Sequence, residues 1–198
     1  MRVTVPNYGP VERGFLLGLA RRTLVSAVAG AALPEVAPEG LGMILTEKRA
    51  CFVTLTDQGM LRGCIGHVIP RDSLYQAVIE SAQGAALRDP RFPSVRIDEV
   101  DKLRIEISVL TEPRRLEFSS SKELLASLEP NQHGVVLRIG CRTATFLPQV
   151  WEQIPDKIRF LERLSEKAGS PSDAWRGKDA VISVYQVEAF EEAEEPSS

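Results

Sequence analysis

Only two histidines and three cysteines occur among the 198 residues, and that scarcity narrows the available chemistry. A closed structural zinc site needs four ligands, normally supplied as recognisable pairs. Cys64-x-x-His67 offers one such pair and no second pair has matching spacing, so no metal is expected. Cys51, Cys64 and Cys141 contain no C-x-x-C pair and leave one thiol over under any intramolecular pairing. Reduced thiols in a cytoplasmic protein fit this usage better than a disulfide framework. A basic excess is also missing: 24 Lys and Arg against 27 Asp and Glu leave a formal charge of -3. That balance gives no support to nucleic acid as a partner. The longest apolar stretch, from Phe15, is broken by Arg21 and Arg22, and the uncharged run from Thr23 to Pro34 is too short to span a bilayer. Residues Met1 to Pro6 lack the charged-then-apolar pattern of a secretory signal, so none is expected. The three-glycine dinucleotide fingerprint is absent too.

What remains is an ordinary globular composition, 43% hydrophobic and 26% charged, long enough for one core or for a core with a small lobe. Leu16, Leu17, Ala20, Leu24, Ala27 and Val28 recur at helical spacing within a helix expected over Val11 to Leu33. Ala50 to Thr56 and Met60 to Ile69 read as a β-hairpin around Asp57-Gln58-Gly59. A helix capped by Asp72 or Ser73 follows, its face carrying Leu74, Ala77, Val78, Ser81 and Ala85, and Pro90 stops it. Leu103 to Leu110 alternates cleanly, with Leu103, Ile105, Ile107 and Val109 on one face. A short helix is expected over Ser121 to Leu128. A second hairpin runs over Val135 to Ile139 and Thr143 to Leu147, and a helix starts at Pro148 to Gln153. A strong helix over Asp156 to Ala168 is closed by Gly169, and a late strand spans Ala180 to Val187. The acidic end, Glu191-Glu192-Ala193-Glu194-Glu195, reads as a frayed, solvated tail. Strands in hairpins with irregularly placed helices indicate a single α+β domain, with a mixed or antiparallel sheet and flanking helices.

The segment with most chemical content is Leu61-Arg62-Gly63-Cys64-Ile65-Gly66. Glycine weakens a strand, so Gly63 and Gly66 mark a bulge or a place where another backbone or a ligand comes close. In an undistorted strand Arg62 and Cys64 share a face, and a guanidinium beside a thiol favours the thiolate. Arg62 could equally hold a carboxylate or phosphate. Against this stands the plain alternative that a free cysteine fills space in a core. Gly63-x-x-Gly66 is not the RNA-binding loop of a KH domain, which joins helices and has basic flanks.

The hexapeptide resembles the hallmark of the AMMECR family, whose prokaryotic members are called AmmeMemoRadiSam system protein A. Asp89-Pro90-Arg91-Phe92-Pro93, Ile105 to Leu110, His133-Gly134, Phe146-Leu147-Pro148-Gln149-Val150, Lys167-Ala168-Gly169 and Tyr185 to Phe190 resemble further family blocks, in the family's order. The resemblance spans roughly residues 10 to 192. It implies an α+β fold with a larger and a smaller lobe and a cleft near the hexapeptide, but no established reaction. The system name implies a Memo-like protein and a radical-SAM protein as partners. This chain lacks a C-x-x-x-C-x-x-C cluster motif, so radical chemistry would belong to the partner. Many members carry Thr where this chain has His67, which argues against a Cys64–His67 dyad. Strand geometry agrees, because residues three apart point to opposite faces.

The remaining candidates carry two readings each. His133, before Gly134, is a turn histidine or a base for Cys64. Arg91, between two prolines, is a surface arginine or a fixed anion contact. Glu106 is a strand carboxylate paired with Arg62 or Arg104, or a proton carrier. Gln149 caps a helix or contacts a ligand. Three functions compete: an enzyme or enzyme subunit acting on a small polar or anionic molecule, a non-catalytic adaptor, or a hexapeptide that is architecture alone. In the first, Cys64, His133 and Glu106 would be catalytic, and Arg62, Gly63, Gly66, Arg91 and Gln149 would bind the ligand.

Overall fold

The computed structural model describes residues 7–193. The chain folds into two compact units. Thr111–Val187 forms one, and the segments ending at Leu110 and beginning at Glu188 form the other. Each has its own antiparallel sheet and its own apolar core, so the architecture is α+β with two sheets.

The first unit opens with α1 (Pro10–Val28), followed by the single turn α2 (Met43–Thr46). The hairpin β1 (Ala50–Asp57) and β2 (Met60–Gly66) leads into α3 (Leu74–Leu87) and β3 (Leu103–Leu110). The last strand of this unit, here β8 (Val187–Glu191), comes from the far end of the chain, and the sheet order is β2-β1-β3-β8. The alternation read in β3 is the packing observed: Leu103, Ile105, Ile107 and Val109 are all buried in one core with Val53, Leu55 and α3.

Helix α1 ends at Val28, short of the Leu33 that its apolar pattern suggests. Gly30 takes φ +68, its N–H bonds the Ala27 carbonyl, and the Ala31 N–H reaches back to Ser26. This glycine-closed termination satisfies the last carbonyls of the helix. At α3, Ser73 holds the N-cap position, but its hydroxyl contacts Gln76 Oε1 at 2.7 Å and not a backbone N–H.

The second unit contains β4 (Arg114–Arg115), α4 (Ser121–Ser127), β5 (Gly134–Ile139), β6 (Arg142–Phe146), α5 (Val150–Gln153), α6 (Lys157–Lys167) and β7 (Ala180–Tyr185). Its sheet order is β4-β7-β5-β6. The expected hairpin around Gly140-Cys141 is present, with Gly140 at φ +58. Asp156 caps α6 by accepting the Arg159 N–H at 2.8 Å. The Trp151 ring stacks on Phe160 at 3.6 Å in the core beneath the sheet.

The acidic end is not a frayed tail where it is described. Val187–Glu191 is a strand, and Phe190 is buried against Tyr8 with ring centroids 6.0 Å apart. Glu188 accepts from Arg13 at 2.9 Å and Glu192 accepts from Arg21 Nε at 2.9 Å, both on α1. These charges are partnered by a helix from the opposite end of the chain, so local composition misrepresents them. Glu194 and Glu195 lie outside the described residues. Among the described residues no helix is long and apolar enough to cross a membrane.

Candidate functional site

The hexapeptide lies on β2, the edge strand of the first sheet. Gly63 pairs with Leu55 and Cys64 with Thr54, while a register shift between Leu55 and Thr56 leaves Arg62 at a bulge. The two glycines answer to packing. A Cβ on Gly63 would lie 2.2 Å from the Ala85 carbonyl oxygen of α3. One on Gly66 would lie 2.2 Å from the Cys51 carbonyl and 2.6 Å from Phe52. The close-approaching backbones are therefore the protein's own. Gly84 repeats the theme from the helix side, where a Cβ would meet Ile65 Cγ2 at 2.8 Å.

Arg62 does not lie beside the thiol in the way an undistorted strand would put it. Its Nε and Nη2 donate to the two oxygens of Glu99 at 2.8 and 3.1 Å, and Nη1 donates to the Pro93 carbonyl at 2.9 Å. The bulge turns the side chain toward the 93–99 segment, where a bidentate pair uses the guanidinium. This pairing raises the Arg62 pKa further above its ordinary value.

Arg91 is the guanidinium that reaches Cys64. Asp89, with a side chain only 2% exposed, accepts the Cys64 N–H at 2.8 Å and the Arg91 Nη2 at 2.7 Å. Arg91 Nη2 in turn donates to the Cys64 carbonyl at 3.3 Å. Carboxylate and guanidinium thus bond the free N–H and C=O of one edge residue, as a neighbouring strand would, and this blocks the edge at Cys64. Arg91 and two backbone N–H groups hold the Asp89 carboxyl down at about 2. Asp89 itself is not singled out by the sequence pattern. Its signal is present in the D-P-R-F-P block, an acid between a helix end and a proline, but nothing local tells a buried acid from an exposed one.

The surroundings of Cys64 work against its thiolate. Burial pushes its thiol above the ordinary value, and this outweighs the hydrogen bond from Thr54 (Oγ1 to Sγ, 3.3 Å) and the charge of Arg91. The expected thiolate is therefore disfavoured, because the cation beside the thiol is already neutralised by Asp89 and the site is half-desolvated. Thr54 pairs with Cys64 on one side and with Glu106 on the other. A row Cys64–Thr54–Glu106 thus crosses three strands on the face opposite the apolar core. Burial also raises the Glu106 carboxyl, offset by the Ser108 hydroxyl at 3.1 Å. Arg104, the partner considered for Glu106, pairs with Glu191 at 3.2 Å.

His67 lies apart from this row. Its Nε2 is 3.6 Å from Glu80 Oε1 on α3, on the Gly63 side of the sheet. His133 and Gln149 belong to the second unit. His133 Nδ1 accepts the Glu129 N–H at 3.1 Å and its carbonyl accepts Trp151 Nε1 at 2.7 Å. Burial lowers its pKa, so it is a neutral imidazole closing a turn at physiological pH. Gln149 sits exposed at the start of α5 without a side-chain cap. Among the described residues no group of three or more His, Cys, Asp or Glu is placed to hold a metal ion.

This combination of edge strand, glycine-packed helix and Asp89–Arg91 clamp can be set beside known proteins. A protein of Methanosarcina barkeri is 42% identical over 189 residues, covering 93% of this chain and 92% of its own. One of Methanopyrus kandleri is 42% identical over 188 residues, covering 92% and 89%. The crystal structure of an uncharacterised protein from Pyrococcus horikoshii superposes with a TM-score of 0.81 at 34% identity, covering 90% of each chain. The AMMECR1 family model matches residues 17–190, and the chain belongs to that family.

Proposed function

We propose that the protein binds a small polar or anionic molecule over the Cys64–Thr54–Glu106 row, with Arg91 as the anion contact and Glu106 as the group that exchanges a proton with it. The observation that carries this reading is the state of Arg91. Its guanidinium is fixed by Asp89 yet its side chain is 53% exposed, so it offers a rigid donor edge to solvent beside three half-buried polar groups. Glu106, with its raised pKa, suits acid–base work nearer neutrality than an ordinary carboxylate does. Cys64 acts here as a neutral hydrogen-bonding thiol and not as the nucleophile. Three free cysteines support a reducing, cytoplasmic setting.

A second reading, docking of a Memo-like or radical-SAM protein, draws on Met60 and Leu61, which are 68% and 42% exposed at the start of β2. Native pull-down followed by mass spectrometry of both proteins and small molecules separates the two. The ligand reading expects a small molecule that copurifies with wild type and is lost in Arg91→Gln and Glu106→Gln. Capture of a protein partner by both variants but not by Leu61→Ser would replace it with the docking reading. Wild type that yields no small molecule would also count against the ligand reading.

A further inference from the structure

The ion pairs around the Cys64–Thr54–Glu106 row leave one charge over. At the β2 edge the Arg91 guanidinium is matched by Asp89, which accepts from Nε at 2.9 Å and from Nη2 at 2.7 Å. Across β3 and β8, Arg104 is matched by Glu191 at 3.2 Å. Glu106, half-buried at the β3 end of the row, has no ion pair among the described residues, and the Ser108 hydroxyl donates to it at 3.1 Å. At the other end, Arg91 Nη1 has no hydrogen bond among the described residues, while the guanidinium carbon lies over the Phe92 ring at 5.5 Å. Strands β2, β1 and β3 are successive, so Cys64 and Glu106 stand about 10 Å apart, two inter-strand spacings. Besides burial and the Thr54 hydrogen bond, the Cys64 thiol feels Arg91, Asp89 and Glu106, which places it between the two ends.

We infer that the ligand of this row is a linear zwitterion, with a carboxylate on Arg91 Nη1, an ammonium on Glu106, and a chain of methylenes over Thr54 and Cys64 between them. This rests on the row as the ligand site and adds the group the ligand carries at its far end. With Arg91 cancelled by Asp89, the row keeps the single negative charge of Glu106. A purely anionic molecule would gain hydrogen bonds at one end and meet an uncompensated carboxylate at the other. An ammonium there gives the half-buried carboxylate the cation that the protein does not supply. Thr54 already donates its hydroxyl hydrogen to Cys64 Sγ at 3.3 Å, so the middle of the row suits an apolar chain. An α-amino acid holds its two charges too close together to reach both ends.

The test is amide chemical-shift titration of the full chain with 6-aminohexanoate, hexanoate and glycine. Hexanoate lacks the ammonium, and glycine lacks the span. The expected result is a saturable response of the Thr54, Cys64, Arg91 and Glu106 amides to 6-aminohexanoate, with hexanoate and glycine weaker by about tenfold or more. Glu106→Gln keeps the shape and removes the charge, so it should weaken 6-aminohexanoate about tenfold or more and leave hexanoate no weaker than before. Arg91→Gln should weaken both, with unmoved amides in the second unit as the check on folding. Hexanoate or glycine binding as tightly as 6-aminohexanoate, or an affinity for 6-aminohexanoate unchanged by Glu106→Gln, would overturn the zwitterion and leave the anion contact at Arg91 standing. No saturable response to 6-aminohexanoate would overturn it too, and a small molecule that still copurifies with wild type would then keep the row as the site of another ligand.

Discussion

The two units use the same parts and dispose of their charges differently. Both have a four-stranded sheet with an apolar face packed on helices. Around the edge strand β2, the charges face one another: Arg62 holds Glu99, and Asp89 holds Arg91 and the Cys64 backbone. At the β5–β6 tip, the Arg138 and Asp179 side chains are exposed and have no ion pair among the described residues. A cation near a reactive-looking residue is therefore weak evidence of activation until its partner is known. Arg62 illustrates this, being fully bonded within the protein. The charge available to a ligand is the one that packing leaves over.

The largest expected effect lies at the glycines that pack the first unit. Gly63→Ala drives a Cβ against the Ala85 carbonyl, and relieving that contact requires α3 to move off the sheet. A loss of about 3 kcal/mol in urea unfolding is expected, since backbone cannot yield as a side-chain tip does. Gly14→Ala in α1, where a Cβ meets nothing within 4 Å, should instead stabilise by about 0.5–1 kcal/mol. Equal effects from the two substitutions would show that the tight packing at Gly63 is not real.

Next in size is Asp89. Its pKa is lowered from 3.8 to about 2, so its contribution is present above pH 4 and lost as pH falls from there toward 2. At about 1.4 kcal/mol per pKa unit this amounts to about 2.5 kcal/mol. Asp89→Asn should cost about 2 kcal/mol at pH 7 and flatten the acid limb of the stability curve. An acid limb unchanged in the variant would place the sensitivity in other carboxylates.

Thiol reactivity sharpens the contrast further. Cys141 is exposed on the second unit's hairpin, Cys64 is half-buried and Cys51 is buried. Burial pushes the Cys64 thiol up, and pushes Cys51 up to about 12. Iodoacetamide at pH 7 should modify Cys141 first, Cys64 more slowly than a free thiol, and Cys51 last, as followed by peptide mass spectrometry. Cys64 reacting fastest would restore the nucleophile reading. The smallest effect is expected at Glu106. A raised carboxyl pKa means ionisation opposes folding, so its penalty is absent at low pH and grows as pH rises above 4.5. Glu106→Gln should accordingly change stability at pH 7 by less than about 1 kcal/mol, in the stabilising direction.

Local pattern carried most of the elements because burial imposes it directly. The alternation in β3, the β1–β2 hairpin, the α3 stripe and the helix α6 with its closing Gly169 all depend on neighbours a few positions apart. The α1 terminus was equally local, and Gly30 was its signal. Strand β8 was not legible, because its Glu188 and the following Glu192 are matched by Arg13 and Arg21 across the whole chain. The hexapeptide was recognisable by its two glycines, yet what approaches them was not.

By itself the sequence determined the α+β class, the family resemblance and the location of the Leu61–Gly66 segment, since periodicity, turn residues and motif order are properties of the chain read in one direction. Only the tertiary structure decided which arginine meets Cys64, that Asp89 stands between them, and that burial pushes the thiol above its ordinary pKa. Ion pairing and desolvation depend on distances between residues far apart in the chain: a register shift at Leu55–Thr56 leaves Arg62 at a bulge, bonded to Glu99, while Asp89 holds Arg91 against the Cys64 backbone.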